Sequence, residues 1–159
     1  APLVRPLPFL ASFEGEVLAI NDDPADIAAR CFERPSWAIV SFEGAEVGTE
    51  GGFTRVLAEH CSYVGPLPDG TIGPDGTYGE GVITLTAPNG DILRGTYADG
   101  VSTSPPPDVG FLDFFTFAGG TGSYATAAGG GMEVGAVDFS SGFGPGAPFT
   151  LTMEGLIIF

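Results

Sequence analysis

The chain contains no lysine, and its five basic side chains are all arginines: Arg5, Arg30, Arg34, Arg55 and Arg94. Twenty acidic residues oppose them, for a formal net charge of −15. A surface of that sign repels nucleic-acid phosphates and anionic lipid headgroups, so neither is an expected partner. No run approaches the ~20 consecutive apolar residues of a membrane span. The single histidine, His60, cannot build a histidine-rich metal site. The two cysteines, Cys31 and Cys61, lack zinc spacing and form no C-x-x-C pair. No G-x-S-x-G elbow marks a serine hydrolase. Gly119-Gly120-Thr121-Gly122 is no phosphate loop, because no lysine follows it. Carboxylates cluster at Asp22, Asp23 and Asp26 and again at Asp69, Asp75 and Glu80. They lack the D-x-D-x-D-G order of a calcium loop, and Asp before Gly is ordinary turn chemistry. No metal or cofactor is therefore expected.

The acidic excess fits a soluble, self-repelling secreted protein, and also a protein adapted to a salty medium. A Cys31–Cys61 bridge is the expectation for the cysteines, closing a loop of about 30 residues. Two separate buried thiols in a cytosolic protein are the alternative. The chain begins at Ala1, as it would after removal of a signal peptide, and a secreted or periplasmic location is expected.

What the chain has in abundance is glycine, proline and phenylalanine: 26, 14 and 13 residues. These suit short strands joined by many turns and fit poorly into helices. A length of 159 residues makes one domain able to bury roughly 70% of its unfolded surface. Residues 1–10 read as a proline-rich extended arm, and 11–159 as a single β-domain. Eight strands are predicted: Phe13–Ile20, Trp37–Val47, Phe53–Val64, Gly81–Ala87, Asp91–Ala98, Phe111–Ala118, Met132–Phe139 and Phe149–Ile158. One short helix falls within Asn21–Arg34, capped by Asn21 or Asp23 with Pro24 at its first position. Gly65–Gly81 reads as a long surface loop, and Pro88-Asn89-Gly90 as a tight hairpin. Sequential antiparallel strands in this number close into a barrel, which removes exposed edges. The fold class is thus all-β, a single antiparallel eight-stranded β-barrel.

Alternation sorts the strand faces. Phe149, Leu151, Met153, Gly155 and Ile157 share one face, and Thr150, Thr152 and Glu154 the other. Phe111, Phe115 and Phe117 share a face with Asp113. Threonines outside and aromatics inside are the default expectation. His60 is in phase with Val56 and Ala58. It reads as a structural core histidine, with a pocket residue or a catalytic base as the alternatives. Arg55 and Glu59 share the opposite face. They read as a structural ion pair or as polar groups that orient a ligand.

The segment T-F-A-G-G-T-G-S-Y-A-T-A-A-G-G-G-M-E-V, followed by P-F-T-L-T-M-E-G-L-I, resembles the C-terminal part of the allene oxide cyclase and dirigent barrels. The matching positions are Gly119, Gly120, Thr121, Gly122, Tyr124, Gly129 and Gly155. The chain also resembles secreted bacterial proteins with a His-x-x-x-x-Gly element, here His60 to Gly65, before an N-G-D hairpin. The resemblance covers residues 53–159. It implies an eight-stranded antiparallel barrel with an apolar interior and, in the cyclases, a cofactor-independent reaction. The shared motif is glycine geometry, so it transfers fold rather than activity, and it places no catalytic residue here.

Two classes of function remain. One is a barrel holding a small apolar molecule, which it binds or, as a cofactor-independent cyclase or isomerase, folds. The other is a non-enzymatic module, plugged by its own phenylalanines and serving structural or partner contacts, with a homo-oligomer as one arrangement. The expected pocket lies at one barrel mouth, bordered by Tyr63, Tyr97, Phe115 and Phe117, with Arg55 and Glu59 as its polar groups.

Overall fold

A computed structural model describes residues 5–48 and 52–159. Eight strands follow one another: β1 (Leu7–Asn21), β2 (Ser36–Glu46), β3 (Arg55–Pro66), β4 (Ile72–Thr86), β5 (Ile92–Ser102), β6 (Asp108–Gly120), β7 (Ala128–Asp138) and β8 (Pro148–Ile158). Each pairs antiparallel with the next, and β8 returns to β1, closing the expected barrel. A helix, α1 (Pro24–Arg30), and a 3-10 turn at Gly122–Tyr124 complete the elements.

Strand faces follow the alternation. Phe149, Leu151, Met153 and Ile157 are buried, whereas Thr150 faces water. Ile83 and Leu85 are buried between the half-exposed Thr84 and Thr86. Close strand approach depends on glycine: a Cβ at Gly155 would run into the Gly130 carbonyl oxygen.

Three boundaries differ from the sequence reading, each for a physical reason. The arm's residues 1–4 lie outside the described residues, and Leu7–Leu10 belong to β1, paired with β8 through Leu7↔Ile157 and Leu10↔Glu154. Pro8 is tolerated there because β2 pairs with β1 only from Phe13 onward. The long loop shrinks to a turn at residues 67–71, since β3 runs to Pro66 and β4 starts at Ile72. Its turn residues are absorbed as bulges: pairing slips between Ser62 and Val64, and Gly76 and Glu80 adopt positive φ. Gly129-Gly130-Gly131 lies within β7 rather than before it.

Helix α1 forms as its signals predict. Asp23 Oδ1 accepts from the N–H groups of Ala25 at 2.8 Å and Asp26 at 3.2 Å, and Pro24 opens the helix. The helix lies outside the barrel and is fastened to β3 by the Cys31–Cys61 disulfide, with Cα atoms 5.9 Å apart. Arg30 adds bonds to Glu59 Oε1 (3.0 Å) and the Glu80 carbonyl (2.6 Å).

Phenylalanines solidly fill one half of the interior. Phe9, Phe53, Phe115 and Phe117 pack with ring centroids 4.9 Å (Phe9–Phe117), 5.0 Å (Phe115–Phe117) and 6.0 Å (Phe9–Phe53) apart. The G-G-T-G corner closes this end between β6 and β7, where Gly119 takes φ +80°. Thr121 bonds back to β5, accepting from Ile92 N–H at 2.9 Å, and Asp91 accepts from Ser123 Oγ at 2.7 Å. The corner and the Asn89-Gly90 hairpin therefore hold each other.

Phe117→Ala should lower stability by about 3–5 kcal/mol, because its neighbours cannot collapse into the void. Replacing both cysteines by alanine should cost about 3 kcal/mol through the loop it opens. Urea unfolding of each variant measures both, and losses below about 1 kcal/mol would contradict these assignments.

Candidate functional site

The other half of the barrel is hollow. A cavity of about 790 Å³ enters at the end where α1, the β3–β4 turn, the β5–β6 loop and the β7–β8 loop gather. Its rim carries Trp37, Phe139 and Phe143, with Trp37–Phe143 stacked at 6.1 Å and Phe139–Phe143 at 4.8 Å. Its wall is largely apolar, with Val40 and Phe42 from β2, Val56 from β3 and Phe149 and Leu151 from β8.

Besides Ser62, Asp75, Thr77, Ser102, Thr103 and Ser104, which also line the cavity, five large polar side chains stand in its wall, one from each of β3 to β7: His60, Tyr78, Tyr97, Asp113 and Glu133. Each is at most 7% exposed. Glycines on neighbouring strands make room for the tyrosine rings: a Cβ at Gly81 would lie 2.6 Å from the Tyr97 ring, and one at Gly100 would strike Tyr78. The Tyr78 hydroxyl donates to Asp113 Oδ2 at 2.5 Å. His60 Nδ1 and the Tyr97 hydroxyl hydrogen-bond at 2.9 Å, and His60 stacks on Tyr78 at 4.3 Å. Asp113 and Glu133 are direct partners across the β6–β7 pair. Apart from a proton shared between the two carboxyls, no donor from the described residues reaches Asp113 Oδ1 or Glu133 Oε1.

Burial governs the charge states. It pushes His60 down to about 3, helped by the Arg30 charge outside, so the imidazole is neutral at physiological pH. Burial raises both tyrosines, and they remain phenols. It raises Asp113 to about 6, against the pull of hydrogen bonds from Tyr78 and Glu133. Burial, then the Asp113 charge, raises Glu133 well above the carboxylate range. At neutral pH the pair holds one proton and one negative charge, with the Glu133 acid donating toward Asp113. Such a pair can accept a donor from a ligand or exchange a proton near neutrality.

Of the six residues expected at the pocket, Tyr97 lines it. Phe115 and Phe117 point inward but lie deeper, in the packed half. Arg55 and Glu59 do share a face, but that face is the outer wall. Arg55 pairs with Glu43 at 2.7 Å, and Glu59 pairs with Arg30 at 3.0 Å. Tyr63 is also outside, under the Arg34 guanidinium at 4.7 Å, and donates to Glu80 Oε2 at 2.9 Å. The facing of β3 thus corrects the polar-group assignment: Val56, Ala58, His60 and Ser62 are the residues that look inward.

Asp113 was visible in the sequence as an acid in phase with phenylalanines. Glu133 was masked, because the apolar Met132 and Val134 alternate with it and are the ones facing water. Cys31, Cys61 and Glu80 come within 4.8 Å of one another. Both sulfurs are in the disulfide and offer no thiolate to a metal.

Comparison with protein-family models, curated proteins and solved structures gave no match. The class defined here is a closed, eight-stranded antiparallel β-barrel with an open-ended internal cavity.

The two buried acid-base elements carry opposite pH signs. His60 is neutral when folded and takes a proton near pH 6.5 when unfolded, so its contribution is present above 6.5 and lost as pH falls toward 3. Asp113 binds its proton more tightly when folded, so its contribution grows as pH falls from about 6 to 3.8. The stability of wild type minus that of His60→Gln should therefore fall steadily from pH 6.5 to about 4 in urea titrations. A flat difference would mean that His60 is charged in the folded barrel.

Proposed function

We propose that this protein binds a small, largely apolar molecule in the hollow half of its barrel. The observation that carries the reading is the cavity itself: about 790 Å³, apolar over most of its wall, with convergent polar groups in one sector. Ligand sites generally combine a volume of roughly 300–1,000 Å³, apolar walls and a few placed polar groups. An empty apolar space of this size forfeits packing that phenylalanines supply in the other half. A purely structural module would gain by filling it. The disulfide favours an oxidising compartment, and with the acidic surface supports a secreted or periplasmic protein.

A second reading rests on the carboxyl pair. A proton shared by Asp113 and Glu133 within an apolar enclosure can serve general acid–base chemistry. This supports a cofactor-independent isomerase or cyclase, the reaction type of the allene oxide cyclases whose barrel the sequence resembles. Binding is the broader reading, because either role requires an apolar guest.

Calorimetric titration with a neutral apolar alcohol such as 4-phenylbutanol tests it. The wild type should bind, and Ala58→Trp, which places an indole in the cavity from β3, should weaken binding at least about ten-fold with its circular dichroism unchanged. Equal binding by the two proteins, or none by the wild type, would reject the cavity as a ligand site.

A further inference from the structure

We propose that the cavity is selective for a lipophilic amine, whose ammonium group docks on the Asp113–Glu133 carboxyl pair while its apolar part lies against the aromatic wall. The inference rests on the apolar-ligand reading and specifies the polar end of the guest.

At the carboxyl pair the geometry provides acceptors. Asp113 and Glu133 are 1% and 2% exposed, and both line the cavity. Beyond the proton that the two carboxyls share, no donor from the described residues reaches Asp113 Oδ1 or Glu133 Oε1. The hydroxyl donors beside them are already engaged, Tyr78 with Asp113 Oδ2 and Tyr97 with His60. A buried carboxylate left short of donors and of a counter-ion is costly, and a ligand that supplies both lowers that cost. An ammonium group brings several N–H donors and one positive charge.

No cation of the protein can take this role. The chain has no lysine. Arg30, Arg34 and Arg55 are committed on the outer surface to Glu59, Asp75 and Glu43. Arg5 and Arg94 are exposed, and no arginine lines the cavity. Around the pair, β3 contributes neutral His60, β4 Tyr78 and β5 Tyr97, and the other carboxylate lining the cavity, Asp75, is paired with Arg34. The cavity-lining side chains of β1, β2 and β8 are apolar: Ile20, Trp37, Val40, Phe42, Phe149 and Leu151. The pair therefore presents one uncompensated negative charge near neutral pH. Tyr78 and Phe111, with ring centroids 6.4 Å apart, add π-faces that attract a cation. The net charge of −15 also raises the local concentration of cations at the mouth. A fatty carboxylate meets the reverse situation at the pair: like charge in a low dielectric.

The test uses three compounds of one shape: 4-phenylbutylamine, 4-phenylbutanol and 4-phenylbutyrate. They are titrated into the full chain by calorimetry at about pH 7.5 in about 0.15 M salt, where distant surface charge is screened. The amine is expected to bind at least about ten-fold tighter than the alcohol, and the acid weaker than either. In Asp113→Asn with Glu133→Gln, near-isosteric substitutions, amine affinity should fall at least about ten-fold more than alcohol affinity does. In the unaltered protein the amine's advantage should shrink as pH falls toward about 5, because the pair takes up its second proton while the amine stays charged. If the alcohol binds and the amine binds no better, or the acid binds best, amine selectivity is overturned and the apolar-ligand reading stands. Amine preference that persists in the double variant or at low pH would assign it to the surface, which also overturns the proposal. If none of the three binds, both readings fall.

Discussion

Closing eight strands into a ring encloses a volume that the chain must either fill or leave empty. The closure satisfies every strand's hydrogen-bonding edges with neighbours and splits each strand into an inner and an outer face. All else in the molecule is arranged on those two faces. Inside, large aromatic rings occupy the end sealed by the G-G-T-G corner and the Asn-Gly hairpin. Towards the opposite end, β3 offers only the small side chains of Ala58 and Ser62, and the space stays open. The barrel is thus neither the fully plugged module nor the uniformly hollow container that its composition allows. It is one on top of the other.

That division explains why the polar side chains sit where they do. A carboxyl in the packed half would be dry and without a donor, at a cost of several kcal/mol. On the cavity wall, Asp113 has a short bond from Tyr78 and a proton-bearing neighbour in Glu133. The arrangement is costly for folding even so, since burial holds both groups above their usual range. Costs of this kind concentrate at functional sites and are offset by the surrounding packing. Here the solid half supplies that packing, and the disulfide-pinned helix stiffens the outer face of β3, whose inner face carries His60.

The outer surface shows what ion pairs do in so acidic a chain. Three of the five arginines join neighbouring segments: Arg30 ties α1 to β3 and β4, Arg34 ties the linker before β2 to β4, and Arg55 ties β3 to β2. As partly exposed pairs each adds little to stability, on the order of 0–1 kcal/mol. Their consequence for the interior is larger, because with no lysine they leave no cation to enter the cavity.

The fold was legible in the sequence because its signals are local. The alternation of Phe149–Ile157, the Asn89-Gly90 turn, the Asp23-Pro24 cap and the glycine corner each constrain a few residues, and together they leave a sequential antiparallel barrel. Local signals erred where tertiary pairing overrides them: Asp75-Gly76 reads as loop and is a bulge within β4. The site was less legible, since a period of two tells which residues share a face but not which face is inside. Arg55 and Glu59 were grouped correctly and placed on the wrong side, and Glu133 hid behind apolar neighbours that point to water. Sequence alone determined the barrel, its corner and the acidity of its surface. Only the tertiary structure decided the handedness of each strand's faces and brought Asp113 opposite Glu133, because facing and cross-strand register arise when the ring closes.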